Sequence, residues 1–274
     1  MVEKETRKQH QHRMNPAIWA SVIALLLAAL LSYFLFDERT LSWFRDHPCT
    51  WRRNFLVVAI RGFGNAWIPI WLLFNWVCAT GRQRPAKTVF LALLLIFPAV
   101  CILKPLVGRP RPREVISAAT NPEKVYDKFS HHQSFPSGDA AVAFAVAAAL
   151  APFVRRPWAI LFFAIAGFVA FMRVAVLAHY PSDVCTGAAI GIISGWWAMR
   201  ISNKRLSKPP KIDLNHRVAV VAVIVTPVLF GLSKGFDDFL AFLMTYGVLA
   251  IGIYLVAKGP DWLKQLRRQN TGSH

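Results

Sequence analysis

The chain has 274 residues, 55% of them hydrophobic, and its 32 Lys and Arg against 14 Asp and Glu leave a formal net charge of +18. Intrinsic disorder, a collagen-like fibre and a small disulfide scaffold are excluded by that composition. The apolar residues fall in long uninterrupted runs that a water-soluble fold could not cover, so the chain reads as an integral membrane protein.

In chain order, a basic tail (1–15) leads into eight apolar runs: Pro16–Phe36, Gly62–Ala79, Thr88–Leu103, Gly138–Val154, Trp158–Ala178, Ser182–Met199, Val218–Leu232 and Phe239–Val256. Each is predicted to be a transmembrane helix, because lipid demands internally satisfied backbone and the alternation of a barrel strand is missing. The expected class is all-α: a polytopic bundle with a six-helix core over 16–200 and two further spans within 218–257. A basic linker (201–217) joins them, and a second tail (258–274) follows. The first run is too long for a secretory signal and lacks a small-residue cleavage site, so it is expected to be an uncleaved anchor. Segment 40–61 mixes Trp, Phe and Leu with Arg, as an interfacial helix does. The Gly62-Phe63-Gly64 turn then redirects the chain.

With both termini in the cytoplasm, the inner segments hold nineteen Lys and Arg against four acidic residues, and the outer segments eleven against nine. The positive-inside rule favours that orientation in the inner (plasma) membrane. The basic charges flank the spans and do not form one basic domain. They are therefore read as topology and contact with anionic lipid headgroups, with no nucleic-acid partner. Cys49, Cys78, Cys101 and Cys185 carry no Cys-x-x-Cys spacing, and three lie in apolar runs, which predicts buried packing residues. Gly187, Gly191 and Gly195 recur every four residues, the pattern of close helix–helix packing.

Ionisable residues at membrane depth are costly and mark function by default. Three clusters fall on the outer side. Lys104-Pro-Leu-Val-Gly-Arg-Pro-Arg111-Pro112 opens the outer loop 104–138, and its three prolines predict a stiff turn presenting fixed cations. Arg111 can fork onto two phosphate oxygens, while Lys104 acts as a point charge. A basic loop lying on headgroups explains this cluster equally well when it is taken alone. Ser134-Phe-Pro-Ser137-Gly138-Asp139 opens a helix and aims free N–H groups outward, as an anion site does, although an ordinary N-cap has the same sequence. Arg173 sits near the end of one span, His179 caps it, and Asp183 follows four residues later. A carboxylate so placed can hold one ring nitrogen and leave the other free as a nucleophile. The plain alternative is an interfacial histidine beside a helix-start aspartate.

Taken together, Lys104/Arg111/Pro112, Pro136/Ser137/Gly138 and Arg173/His179/Asp183 resemble, in order and spacing, the phosphatidic acid phosphatase type 2 superfamily. The resemblance is close over roughly 80–200. It implies a metal-independent phosphohydrolase without a cofactor, acting on a membrane lipid phosphate through a phosphohistidine intermediate. Carried over, His179 attacks phosphorus and Asp183 orients it. Lys104, Arg111, Ser137, the Gly138 N–H and Arg173 cradle the oxygens, a task that other phosphoryl-transfer enzymes give to Mg²⁺.

Two positions depart from the family pattern: Met172 stands for a Ser, and Asp139 stands for the histidine that protonates the leaving group. An ordinary Asp has a pKa of about 3.9 and is a poor acid at neutral pH. Three accounts compete: bound phosphate makes Asp139 acidic enough, His131 or His132 of the same loop supplies the proton, or the leaving group needs little help. The last predicts a preference for diphosphates. His10 and His12 carry no metal-site spacing and read as solvated tail residues. Three functions stay open on this reading. One is a phosphatase for a lipid phosphate or diphosphate (undecaprenyl diphosphate, lipid A, phosphatidylglycerophosphate or phosphatidic acid class). The others are a phosphotransferase using the same intermediate and a non-catalytic lipid-phosphate binder or transporter.

Overall fold

The computed structural model describes residues 16–47, 64–65, 68–70, 72–73, 77, 83–120 and 133–205. Among them all regular structure is helical, apart from one isolated β-bridge between Pro110 and Gln133. The expected spans at 218–232 and 239–256, the interfacial segment beyond 47, Cys49, Cys78, His131 and His132 lie outside the described residues. Of the second expected span, backbone is described as helical at 68–70, 72–73 and 77.

Helix α1 (Pro16–Leu35) starts with Pro at its first position, where a missing N–H costs nothing. Helix α2 (Asp37–Asp46) follows directly, with Asp37 and Glu38 in the first turn to complement its dipole. Helix α3 (Gln83–Val107) outruns its expected bounds at both ends. It continues through Lys104 and Pro105 and stops at Gly108, whose φ of 59° suits glycine and whose N–H donates to the Lys104 carbonyl. The stiff turn expected from Lys104 onward therefore begins only at Gly108. Pro112 then opens a short helix, α4 (Pro112–Thr120), that the hydropathy pattern did not predict.

Helix α5 (Gly138–Leu150) ends in a 3₁₀ turn (Ala151–Phe153), close to the expected span. Helix α6 (Arg156–Ala175) stops short of Ala178, and helix α7 (Pro181–Arg205) is longer than expected. Helices α1, α3, α6 and α7 are each long and apolar enough to cross a membrane. Leu27, Leu30 and Phe34 of α1 and Phe90, Leu94, Phe97 and Ile102 of α3 stand exposed, as a lipid-facing surface requires. Cys101 shares that exposed face, which corrects the expectation of a buried packing residue, while Cys185 is partly buried.

Helix α7 is the centre of the bundle, packed on α5, α1 and α3, and α5 also packs on α6 and α3. Close approach of α5 and α7 follows from residue size. Every buried residue of α5 is alanine, and Gly187, Gly191 and Gly195 of α7 face its backbone. A Cβ at Gly195 would lie 2.7 Å from the Ala148 Cβ and 2.8 Å from the Ala145 carbonyl oxygen. The glycine repeat is thus a packing device, as its spacing predicts. Val89, Ala92 and Ile96 of α3 complete one apolar cluster with α5 and Ala198, and Ala166 and Val169 of α6 complete another.

Candidate active site

The site forms at one end of the bundle, where the α3–α4 turn, the start of α5 and the α6–α7 turn converge. Helix α6 closes in a Schellman arrangement: Leu177 N donates to Val174 O, and Ala178 N donates to Arg173 O. Leu177 occupies the left-handed position normally given to glycine, with φ 55°, a strain of about 1–2 kcal/mol for an L-residue. The strained turn carries His179 back over Arg173, whose carbonyl also accepts from His179 N at 3.1 Å. Two residues that form one sequence cluster are thus locked together through backbone.

His179 is 3% exposed. Its Nδ1 lies 2.7 Å from the Ser134 carbonyl oxygen. A carbonyl can only accept, so Nδ1 carries the hydrogen and the neutral ring keeps its lone pair on Nε2. Asp183 Oδ2 is 3.8 Å from Nδ1, an ion-pair distance and too long for a hydrogen bond. The sequence expectation that Asp183 itself holds the ring nitrogen is corrected here: a backbone carbonyl does so. Asp183 instead fixes that carbonyl. It accepts a short hydrogen bond from Ser134 Oγ and another from Tyr180 N at 2.9 Å, and its own carbonyl accepts from Ser137 N at 3.1 Å.

Burial lowers the His179 pKa below its ordinary value; the Asp183 carboxylate pulls the other way, and the charges of Arg173 and Arg111 reinforce the lowering. The imidazole is therefore neutral at pH 7, as a nucleophile must be. Arg111 likewise has its pKa lowered, first by burial and then by Arg113. Its Nε is buried and makes no hydrogen bond among the described residues. Arg111, Asp139, Asp183 and Arg173 all lie within electrostatic reach of Lys104, whose Nζ donates to the Gln133 carbonyl at 2.9 Å.

Ser137 caps α5, its Oγ accepting from Ala140 N at 3.4 Å, so the ordinary N-cap is present. Gly138 starts the helix beside it. Asp139, in the first turn, pairs with Arg173: Oδ2 to Nε is 3.0 Å. Gly64 lies against the same residue, and a Cβ there would stand 2.8 Å from the Asp139 Cβ. The structure thus brings together Lys104, Arg111, Ser137, Gly138, Asp139, Arg173, His179 and Asp183 from three separate segments. Among the described residues no group of His, Cys, Asp and Glu is placed to hold a metal ion.

The model of the PAP2 superfamily matches residues 85–207, the stretch holding all of these residues. The lipid A 1-phosphatase of Rhizobium etli is 28% identical over 204 residues, covering 68% of this chain and 84% of its own. A lipid A 4'-phosphatase of Bacteroides thetaiotaomicron is 31% identical over 153 residues, covering 50% of this chain and 65% of its own. The crystal structure of Aquifex aeolicus LpxE has 29% sequence identity and a TM-score of 0.48, covering 61% of this chain and 96% of that one. The segment matched by the PAP2 model thus contains three of the four helices long and apolar enough to cross a membrane, wholly or nearly so, and the two relatives are both named as lipid A phosphatases.

Sequence reasoning missed several members of the site. Ser134 lay in a quoted motif but received no role, and Arg109, Asp37, Ser182 and Gly64 received none. Arg109 had a usable signal: a guanidinium between Gly108 and Pro110 at the membrane rim needs a partner, and Asp37, just past an apolar span, is an unexplained acid.

Proposed function

We propose that this PAP2 protein hydrolyses the phosphate of a glycolipid of the lipid A type, through a phosphohistidine at His179. The observation that carries the reading is the 2.7 Å contact of Nδ1 with the Ser134 carbonyl, which leaves Nε2 as the free lone pair beside Arg111 and Arg173. Nε2 attacks phosphorus, the bond to the lipid oxygen breaks, and water then cleaves the P–N bond to release inorganic phosphate. Lys104, Arg111, Arg173, Ser137 and the Gly138 N–H stabilise the charge on the transferring group. Asp183 holds the histidine indirectly, by fixing the Ser134 carbonyl. The chemistry needs no metal in this scheme, because side chains supply the cations.

The pairing of Asp139 with Arg173 supports a leaving group that departs without a strong acid. An anomeric oxygen or a phosphate qualifies, and a simple alkoxide does not. The relative from Rhizobium etli is named for the 1-position of lipid A, whose oxygen is anomeric, and so fits this leaving group. The positive-inside count supports an outward-facing site, with the lipid tails remaining in the bilayer. Phosphate release by the detergent-solubilised protein tests the reading. Lipid A or a diphosphate lipid should be turned over well ahead of phosphatidic acid, and equal or reversed rates would remove the leaving-group argument.

A further inference from the structure

Asp37 lies at the α1–α2 junction, outside the PAP2 segment, and is 1% exposed. A carboxylate so buried is costly unless it is fully paired. Among the described residues its partners are Ser32 Oγ at 2.9 Å, Ser182 N at 3.1 Å, the Ser182 hydroxyl, and Arg109 Nη2 at 2.8 Å. Arg109 in turn reaches Ser182 Oγ at 2.8 Å and Asp183 Oδ1 at 3.1 Å through its other nitrogen. Its guanidinium carbon lies 3.6 Å from the centroid of the Tyr180 ring, with Tyr33 at 5.1 Å. Two carboxylates and two aromatic rings therefore fix this one cation in both position and tilt.

The connections end at the nucleophile. Asp183, held by Arg109, holds Ser134 Oγ, and the Ser134 carbonyl holds His179 Nδ1. Ser134 N also donates to the Arg109 carbonyl at 2.7 Å, so Arg109 grips the same residue through its backbone. Tyr180, under the guanidinium, is the residue after His179. A tie serving only to join helices would not need to converge on Ser134 from two directions, at its hydroxyl and at its backbone N–H.

We propose that Asp37 and Arg109 are positioning residues for phosphoryl transfer, setting the orientation and charge environment of His179 through Asp183 and Ser134. The proposal rests on the reading of His179 as the nucleophile. It makes the N-terminal helix pair part of the working site, though that pair lies outside the family segment. Asp37, Arg109 and Asp183 form a relay of alternating charge. Other charged groups bearing on the same end of the bundle are Glu38 of α2, Lys104 of α3, Arg111 of the α3–α4 turn, Arg113 and Glu114 of α4, Asp139 of α5 and Arg173 of α6.

The test is the pH dependence of phosphate release from a lipid A preparation by the full-length protein, in Asp37→Asn, Arg109→Gln and the double variant. Removing the Asp37 charge leaves the site more positive, so the acidic limb of kcat/KM should move to lower pH. Removing the Arg109 charge should move it to higher pH, and the double variant should return it to the wild-type position. Each single variant should lose on the order of 10- to 100-fold in kcat, the worth of one charge-assisted hydrogen bond, with KM nearly unchanged. Should Arg109→Gln fail to insert, Asp37→Asn and the charge-balanced double variant still give the two positions of the limb. Limbs that stay in place, or move the same way in both single variants, would reduce the network to a structural tie and overturn the proposal. His179→Ala runs alongside: turnover retained there removes the nucleophile reading itself, whereas an inactive His179→Ala with unmoved limbs removes only the role of Asp37 and Arg109.

Discussion

Asp139 places its Oδ2 3.0 Å from Nε of Arg173, so a carboxylate already engages one of the cations available to phosphate. The incoming phosphate and Asp139 therefore compete for the same guanidinium. Asp139→Asn should tighten inhibition by vanadate several-fold and leave turnover of a lipid with a good leaving group within about threefold. Asp139→His should raise phosphatidic acid hydrolysis most, by up to the roughly 10²–10⁴-fold that a positioned acid supplies. If Asn abolishes hydrolysis of the diphosphate lipid, Asp139 is a working acid and the leaving-group argument fails. A titration of vanadate against initial rates, on the two substrates, reads both outcomes.

The pH profile has a direction fixed by burial. A histidine nucleophile must be neutral, and burial lowers its pKa from the ordinary 6.5. Activity should therefore persist as pH falls through 6.5, and the acidic limb of kcat/KM should lie below that value. A limb above 6.5 would mean that the negative charge of Asp183 outweighs burial and the two arginines.

The glycine contacts make predictions for both site and stability. Gly64→Ala sets a Cβ 2.8 Å from that of Asp139 and 2.9 Å from Val169 Cγ1. It should alter the Asp139 phenotype, seen as tighter or weaker vanadate inhibition, before it alters expression. Gly191→Leu forces α5 and α7 apart where a Cβ would meet Ala145 N at 2.9 Å and Phe144 Cβ at 3.0 Å. Overpacking of that kind costs about 1–3 kcal/mol, read as a lower thermal midpoint in detergent.

How much of this was legible follows from sequence distance. His179 and Asp183 share one turn, and Lys104 and Arg111 one motif, so local spacing was enough to nominate them. The Schellman stop at Leu177 was not legible, because the signal for it is glycine and the chain places a leucine there. Helix α4 escaped notice because its apolar positions are few. The Asp37–Arg109–Ser182 connection joins residues 72 and 145 positions apart, and no local pattern encodes such a contact. The reassignment of the Nδ1 partner, from Asp183 to a main-chain oxygen, is likewise invisible to side-chain motifs.

The outward placement of the site rests on charge counting and has its own check. A cysteine introduced at Lys124 should react with a membrane-impermeant thiol reagent in intact cells, and one at Arg155 should not. The opposite pattern would invert the topology and move the substrate to the inner leaflet.

The most direct measurement is to trap the phosphoenzyme. Protein incubated briefly with a radiolabelled lipid phosphate is quenched in alkali, where a phosphohistidine survives, and digested for mapping of the label. The account predicts an alkali-stable, acid-labile label on His179 that is lost in His179→Ala together with phosphate release. A label on any other residue, or a His179→Ala protein that still releases phosphate at the wild-type rate, would contradict it.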